Sequence, residues 1–165
     1  MTTAELFLQE FDQEVEKTRP TLERISSDKR DFVPHAKSMP LGRLAALVAQ
    51  LPEFGVIVLT TPALDFAAGS FAPLQFESAA QLVRALDAGA TTLRAALKNT
   101  DERAWTEPWK LTMKETTFFA GSRFLAYRQM FLNHLIHHRA QLGVYLRMND
   151  TPVPAIYGPS ADERA

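Results

Sequence analysis

The sequence of 165 residues contains no cysteine. This absence excludes disulfide bonds, cysteine nucleophiles and thiolate metal ligands. Any thiol chemistry would therefore have to use a thiol that belongs to a substrate. The opening residues, MTTAELFLQEFDQEVEK, are acidic and amphipathic. They lack the basic start and the apolar block of a secretory signal, so we expect none.

Charge of one sign is also scarce. The formal net charge is −1, from 18 basic and 19 acidic residues. No long run of like charge gives the basic footprint of a nucleic-acid-binding domain, so we expect no nucleic-acid partner. We also see no apolar run long enough for a membrane span, so we expect no membrane partner and a cytoplasmic location. The length predicts one domain over residues 1–165.

Apolar residues recur at spacings of three and four, which predicts amphipathic helices. The first helix is predicted over residues 4–25, with a kink or a split at Pro20. The second begins after Ser38, which could cap it. Whether this second helix continues past Pro52 and Gly55 stays open at this stage.

The second half of the chain predicts two more helices. Residues 60–76 are rich in turn formers and predict a loop. Ser78 and Gln81 have the spacing of a capping box and open the third helix. Residues 105–117 alternate between polar and apolar side chains, which favours an extended chain or a short hairpin. The last helix is predicted over residues 122–148. Four such helices predict an all-α antiparallel four-helix bundle.

The last helix contains the candidate site. The stretch NHLIHHRAQLGVYLR, residues 133–147, places three histidines within five residues. His134 and His138 fall inside the apolar stripe, one turn apart, a spacing that can bind one metal ion. The alternative is a pair of histidines that are hydrogen-bonded within a mixed core. His137 and Arg139 are predicted to lie at the helix surface or to pin the C-terminal tail.

A metal site would need at least one more ligand than this pair supplies. In a helical bundle that ligand should come from a facing helix. His35 lies in the connector before the second helix, and Glu53 lies near the far end of that helix, so neither is well placed. Tyr127 faces the same interior and could donate a hydrogen bond, although an aromatic residue there is more often part of the core.

Three stretches resemble the DinB/YfiT-like proteins. They are LNHLIHHRAQLGVYLRMNDTPVPAIYGPSADE, KSMPLGRLAALVAQLPEFG and the following LDFA. The resemblance implies an up-down-down-up four-helix bundle, usually a homodimer, with a metal site inside the bundle. In that family three histidines typically bind nickel, zinc or another divalent ion.

The resemblance also implies which residues would bind the ion. Two ligands come from an H-x-x-x-H pair on the last helix, here His134 and His138. The third lies on the second helix, in a pattern like L-A-x-H ahead of a proline. The matching stretch here is LAALVAQLPEF, and the matching position is Leu47. Leucine cannot ligate a metal, so the implied site is incomplete.

Three functions remain open from the sequence. Related branches of the family are metal-dependent transferases that use low-molecular-weight thiols. The first hypothesis is therefore a metal-dependent enzyme of the thiol-linked transferase or hydrolase type, with His134 and His138 as ligands and a thiol as cosubstrate. The second is a non-catalytic, metal-free bundle that binds a small molecule. The third is a dimeric scaffold in which the two histidines satisfy each other.

Overall fold

Four long helices and a small sheet make up the fold of the described residues. A computed structural model describes residues 1–69 and 71–164. The helices are α1 (Thr3–Glu23), α2 (Leu41–Thr60), α3 (Ala79–Lys98) and α4, which runs through Arg123–Leu125, Ala126–Leu132 and Asn133–Met148. The strands are β1 (Ala63–Asp65), β2 (Pro108–Met113) and β3 (Thr116–Ser122). Of the loop predicted over residues 60–76, Ser70 lies outside the described residues.

The predicted helices are present, and two of them pass through proline. The split considered at Pro20 is wrong, because α1 continues to Glu23. Helix α2 continues past Pro52 and Gly55 to Thr60. A Cβ atom added at Gly55 would lie only 2.9 Å from Leu93 Cδ2, so the glycine allows α2 and α3 to approach closely. This packing outweighs the poor helix propensity of both residue types.

Of the two predicted helix caps, the one at Ser78 is confirmed in part and the one at Ser38 is wrong. The Ser78 side chain accepts a hydrogen bond from the Gln81 backbone amide at 3.2 Å. The Gln81 side chain, however, accepts from the backbone amide of Glu77 rather than of Ser78, so the reciprocal half of a capping box is absent. Ser38 does not cap α2, whose N-cap position is Pro40. That prediction is wrong.

We expect Ser78→Ala to lower the free energy of unfolding by about 1 kcal/mol, because the first turn of α3 loses its side-chain acceptor. Ser78→Asn retains an acceptor and should lose much less. Urea unfolding measures both variants. Equal midpoints for Ser78→Ala and the unmutated protein would show that the cap does not stabilise α3.

The prediction of an all-α fold is wrong in one respect, because the described residues include a three-stranded sheet in the order β1-β2-β3. The hairpin predicted near residues 105–117 is confirmed as β2 and β3, which pair antiparallel. Strand β1 was missed. It has three residues and pairs parallel to β2, with Leu64 opposite Leu111. A strand this short has no periodicity of its own to detect, and its pairing depends on contacts distant in sequence.

Helix α2 is the most apolar part of the core. By length and composition it could cross a membrane, which the sequence prediction overlooked, but 67% of its most apolar window is buried inside the fold. Its neighbours around the bundle are α3 on one side and α4 on the other, and α1 packs against α3 and α4. The burial of α2 is that of a core helix.

Helix α4 contains a π-helical segment, Ala126–Leu132, in which the Asn133 backbone amide bonds to the Arg128 carbonyl five residues back. Such a segment shifts the helical phase relative to a regular α-helix. The apolar stripe predicted with uniform α-helical spacing is therefore displaced along α4. Phe124 is 40% exposed, whereas Leu135 and Arg139 are buried. His134 and His138 lie at the edge of the buried stripe, half-buried.

Candidate functional site

The two histidines predicted to act together are in direct contact. His134 Nε2 lies 2.7 Å from His138 Nε2, and the ring centroids are 4.5 Å apart. The spacing of one helical turn on α4 brings the rings side by side. His137 is exposed, which agrees with the prediction that it lies at the helix surface. The structure therefore places two imidazoles together and leaves the third outside.

The outer nitrogens of the pair decide its protonation. His134 Nδ1 lies 3.2 Å from the Met130 carbonyl oxygen. A carbonyl can only accept, so His134 carries its proton on Nδ1 and its Nε2 is an acceptor. His138 Nδ1 lies 2.7 Å from Gln141 Oε1. The Gln141 amide can present either its oxygen or its NH₂ group to this nitrogen.

The orientation of the Gln141 amide therefore separates two states. If the NH₂ group donates to His138 Nδ1, then His138 carries its proton on Nε2 and donates it to His134. Every nitrogen of the neutral pair is then satisfied. If Gln141 Oε1 accepts instead, both Nε2 atoms are bare and face each other, an arrangement that requires a cation between them.

Burial favours the neutral pair. Burial lowers the pKa of His134 below its ordinary value of 6.5, and the neighbouring His138 lowers it further. Burial also lowers the pKa of His138, and a hydrogen bond to Gln141 opposes this in the orientation in which Oε1 accepts. The unfolded chain protonates near pH 6.5 while the folded chain resists protonation. The stability that the neutral pair contributes is thus present above pH 6.5 and is lost as the pH falls through the lowered pKa values.

We expect the free energy of unfolding to fall between about pH 7.5 and pH 5, and to fall less steeply in a His134→Gln/His138→Gln double variant. Urea unfolding across this range measures the slope. The exposed His35→Gln variant is the matched control. Identical slopes for the double variant and the unmutated protein would contradict the neutral, buried pair.

A recessed apolar cavity of about 280 Å³ lies beside the pair. Leu47, the position that the family resemblance implies for a third ligand, and His134 both contribute to its wall. Among the described residues, no polar atom faces this cavity. Its lining residues are Leu47, Leu51, Phe54, Phe66, Phe71, Leu111, Met113, Phe118, Met130 and His134.

The residues that the structure describes do not complete a three-ligand metal site around the pair. The described residues contain no group of three or more histidine, cysteine, aspartate or glutamate side chains that could hold an ion. His35 accepts a hydrogen bond from the Lys37 backbone amide in the connector. Glu53 is exposed and bonds to Gln50. Leu47, which occupies the position implied for the third ligand, is apolar. The residues present therefore do not fit the centre that the family resemblance implies.

Tyr127 belongs to the aromatic core. Its ring centroid lies 4.6 Å from that of Phe7 and 5.0 Å from that of Phe131. The residue is fully buried, and its hydroxyl has no hydrogen-bond partner among the described residues. Burial raises the pKa of this hydroxyl well above 10. Tyr127 is thus a packing residue, and its hydroxyl makes no hydrogen bond with the pair.

Arg139 pins the C-terminal tail, one of its two predicted roles. It is 3% exposed and donates to the Tyr157 hydroxyl at 2.8 Å. Its Nη1 lies 2.6 Å from Glu14 Oε2. The tail residue Tyr157 also donates to Glu14. Arg139 therefore links α4, α1 and the tail.

Sequence analysis missed the residues that complete the site. Gln141 follows His138 at a spacing of three, which on a helix predicts a contact, so the signal was available. Phe66, Phe71 and Phe118 reach the cavity from the loop after β1 and from the sheet. No local pattern predicted that these segments fold over α2 and α4.

The chain is similar to known proteins in both sequence and fold. A model of the DinB family matches residues 1–165. A DinB-like protein of Bacillus subtilis, YjoA, has 19% sequence identity and a TM-score of 0.64, covering 89% of this chain and 94% of its own. A DinB-like protein of Bacillus cereus has 20% identity and a TM-score of 0.64, covering 92% of this chain and 95% of its own. No curated protein matches the sequence.

Proposed function

This chain belongs to the DinB family, and we propose that it is a member without a complete metal centre that binds a small molecule in the cavity beside His134. The observation that carries the proposal is the position of Leu47. An apolar side chain lines the cavity where the family resemblance implies a third ligand. The space beside the pair is thereby a continuous apolar pocket.

The state of the histidine pair supports the same proposal. A neutral pair with Gln141 donating to His138 needs no cation. Burial lowers the pKa of both imidazoles, which disfavours a proton between them. Pockets for small molecules are typically concave and lined mostly by apolar and aromatic side chains, as this cavity is.

The experiment is native mass spectrometry of the untagged protein, followed by extraction and identification of small molecules. We expect one small molecule per chain from the unmutated protein and none from Leu47→Trp, which fills the cavity. Leu74→Trp is the matched control, because Leu74 is half-buried outside this cavity. Equal ligand content in the unmutated protein and in Leu47→Trp would contradict the proposal.

A metal-dependent enzyme is the second candidate. It is favoured by one observation, the contact between Gln141 Oε1 and His138 Nδ1. In that orientation both Nε2 atoms converge bare, as two imidazole ligands of a zinc or nickel ion do. Within the described residues the site has only these two ligands. A further one, such as the sulfur of a low-molecular-weight thiol, would have to come from outside. A transferase or hydrolase activity would therefore depend on such an external ligand.

We infer that the helices follow the up-down-down-up order. Paired positions on neighbouring helices support this inference. Between α1 and α3, the residue numbers of contacting pairs rise along one helix and fall along the other, so these helices are antiparallel. Between α2 and α3 the residue numbers increase together, so these helices are parallel. They also increase together between α1 and α4. The supporting pairs are Asp12 with Arg94, Arg19 with Asp87, Pro52 with Gly89, Gly55 with Leu93, Phe7 with Phe124, Phe11 with Phe131, and Glu14 with Arg139.

We also propose a cytoplasmic homodimer with no nucleic-acid or membrane partner. The near-neutral charge supports the absence of a nucleic-acid partner. Val144 and Met148, which are 58% and 52% exposed on α4, offer apolar surface to a second copy. Sedimentation at several concentrations measures the mass, and a monomer throughout would contradict the dimer.

A further inference from the structure

We propose that the ligand of the cavity beside His134 is an uncharged aromatic molecule of about two fused rings, which enters between Phe66 and Phe118. This inference rests on the proposed function and names the ligand class for the same site. It follows from the polarity of the walls, the arrangement of their aromatic rings, and the volume and mouth of the cavity.

The walls leave no partner for a charged or strongly polar ligand. His134 is the only titratable residue among the described lining residues, and the others are leucine, phenylalanine and methionine. Both nitrogens of His134 are already used, by the Met130 carbonyl and by His138. A carboxylate, a sulfonate or a peptide-borne thiol would lose its hydration here without compensation.

Aromatic rings form one side of the cavity. The Phe54 and Phe71 centroids are 5.8 Å apart with an interplanar angle of 84°. The centroid of Phe66 lies 6.4 Å from each of them. Tilted and edge-to-face pairs at these distances are the favoured contacts of aromatic rings. Met113 and Met130 add thioether groups, which also contact aromatic rings favourably. A planar aromatic ligand would extend this set of contacts.

The volume sets the size of the ligand. An apolar cavity of about 150 Å³ is large enough for benzene. The cavity of about 280 Å³ is nearly twice that volume, which suits two fused rings. Pockets for drug-sized molecules start at about 300 Å³, so the cavity would enclose only part of a bulky cofactor or a nucleotide.

The mouth is marked by exposed apolar side chains from separate segments. Phe66 is 38% exposed, Met113 47% and Phe118 53%. All three line the cavity, and Phe66 follows β1 directly while Met113 ends β2. Apolar groups gathered at one opening gain from being covered. A ligand seated below them would remove part of this surface from water.

The test is fluorescence titration of the untagged protein with three probes. They are 2-naphthol, the anionic naphthalene-2-sulfonate of the same ring size, and glutathione as a peptide-borne thiol. We expect 2-naphthol to bind at least about tenfold more tightly than either of the others. Leu47→Gln places an amide in the wall and should weaken 2-naphthol binding by about tenfold. Leu74→Gln is the matched control outside the cavity and should not change it.

Each outcome decides the inference. If naphthalene-2-sulfonate or glutathione binds in a Leu47-dependent manner and 2-naphthol does not, the ligand class is wrong while small-molecule binding stands. If no probe binds and no small molecule copurifies, both proposals fail. Equal binding of 2-naphthol to the unmutated protein and Leu47→Gln would place the probe elsewhere and overturn the inference. The inference would also be overturned if the protein formed a dimer that excluded 2-naphthol and if Phe118→Ser dissociated that dimer. A second copy would then cover the mouth.

Discussion

Replacing Arg139 by methionine is expected to lower the free energy of unfolding by about 3–5 kcal/mol, as the loss of one partner from a buried ion pair does. The Arg139 and Glu14 side chains are 3% and 5% exposed, and their nearest charged atoms are 2.6 Å apart. Methionine fills much of the same space without a charge. The variant would therefore remove the buried cation of Glu14 and leave the more exposed Lys17, whose Nζ lies 3.3 Å from Glu14 Oε1.

The state of Glu14 explains why the loss should be large. Burial by itself raises the pKa of Glu14. Hydrogen bonds from Tyr157 and Arg139, together with the charge of Arg139, outweigh burial and hold the pKa below its ordinary value. Glu14 is thus ionised in the folded protein at neutral pH. Removing Arg139 removes its hydrogen bond and its charge, while the hydrogen bond from Tyr157 and the charge of Lys17 remain.

Two further variants separate the ion pair from general packing. Arg147→Met removes an exposed pair with Asp162 and should change the unfolding free energy far less than Arg139→Met does. The double variant Glu14→Met/Arg139→Met removes both charges and should recover most of the loss. Urea unfolding measures all three. A double variant as unstable as Arg139→Met alone would show that shape, rather than the unpaired charge, governs this region.

Leu47→His is expected to produce the second-largest effect, a gain in metal affinity. A histidine at this position would face the cavity that His134 already lines. A direct ligand should raise the affinity for zinc or nickel by more than the ~10–100-fold that outer partners of a metal site supply. At a free ion concentration 100 times the dissociation constant, the folded state should gain about 2.7 kcal/mol.

The matched control is Ile57→His, because Ile57 is half-buried on the same helix but lines a different pocket. Thermal unfolding with and without excess zinc measures the gain in each variant. Leu47→His should be stabilised by the ion and Ile57→His should not. If both respond equally, or if Leu47→His shows no response, the position vacated by the family ligand does not face the histidine pair.

Sequence periodicity predicted most of the fold because the helices are long and amphipathic. It could not resolve Pro20 or Pro52, since local propensity argues for breaks that tertiary packing overrides. The π-helical segment Ala126–Leu132 has no signature in an apolar pattern. Uniform helical spacing consequently placed His134 and His138 inside the apolar stripe, whereas they lie half-buried at its edge. Strand β1 was missed because three residues carry no detectable alternation.

The candidate site was predictable to the extent that it lies on one helix. The i,i+4 spacing correctly brings His134 and His138 together, because neighbouring turns of a helix face one way. The family resemblance predicted Leu47 as the facing position, and Leu47 and His134 line one cavity. The aromatic wall was not predictable, because Phe66 and Phe118 reach it through loop and sheet contacts distant in sequence.

The most direct test is the metal content of the untagged, unmutated protein after equilibration with zinc and nickel and removal of free ions. The central claim is that His134 and His138 satisfy each other, because the chain supplies no third ligand at Leu47. We expect an ion content far below one per chain. One firmly bound ion per chain, lost in both His134→Ala and His138→Ala, would contradict the claim.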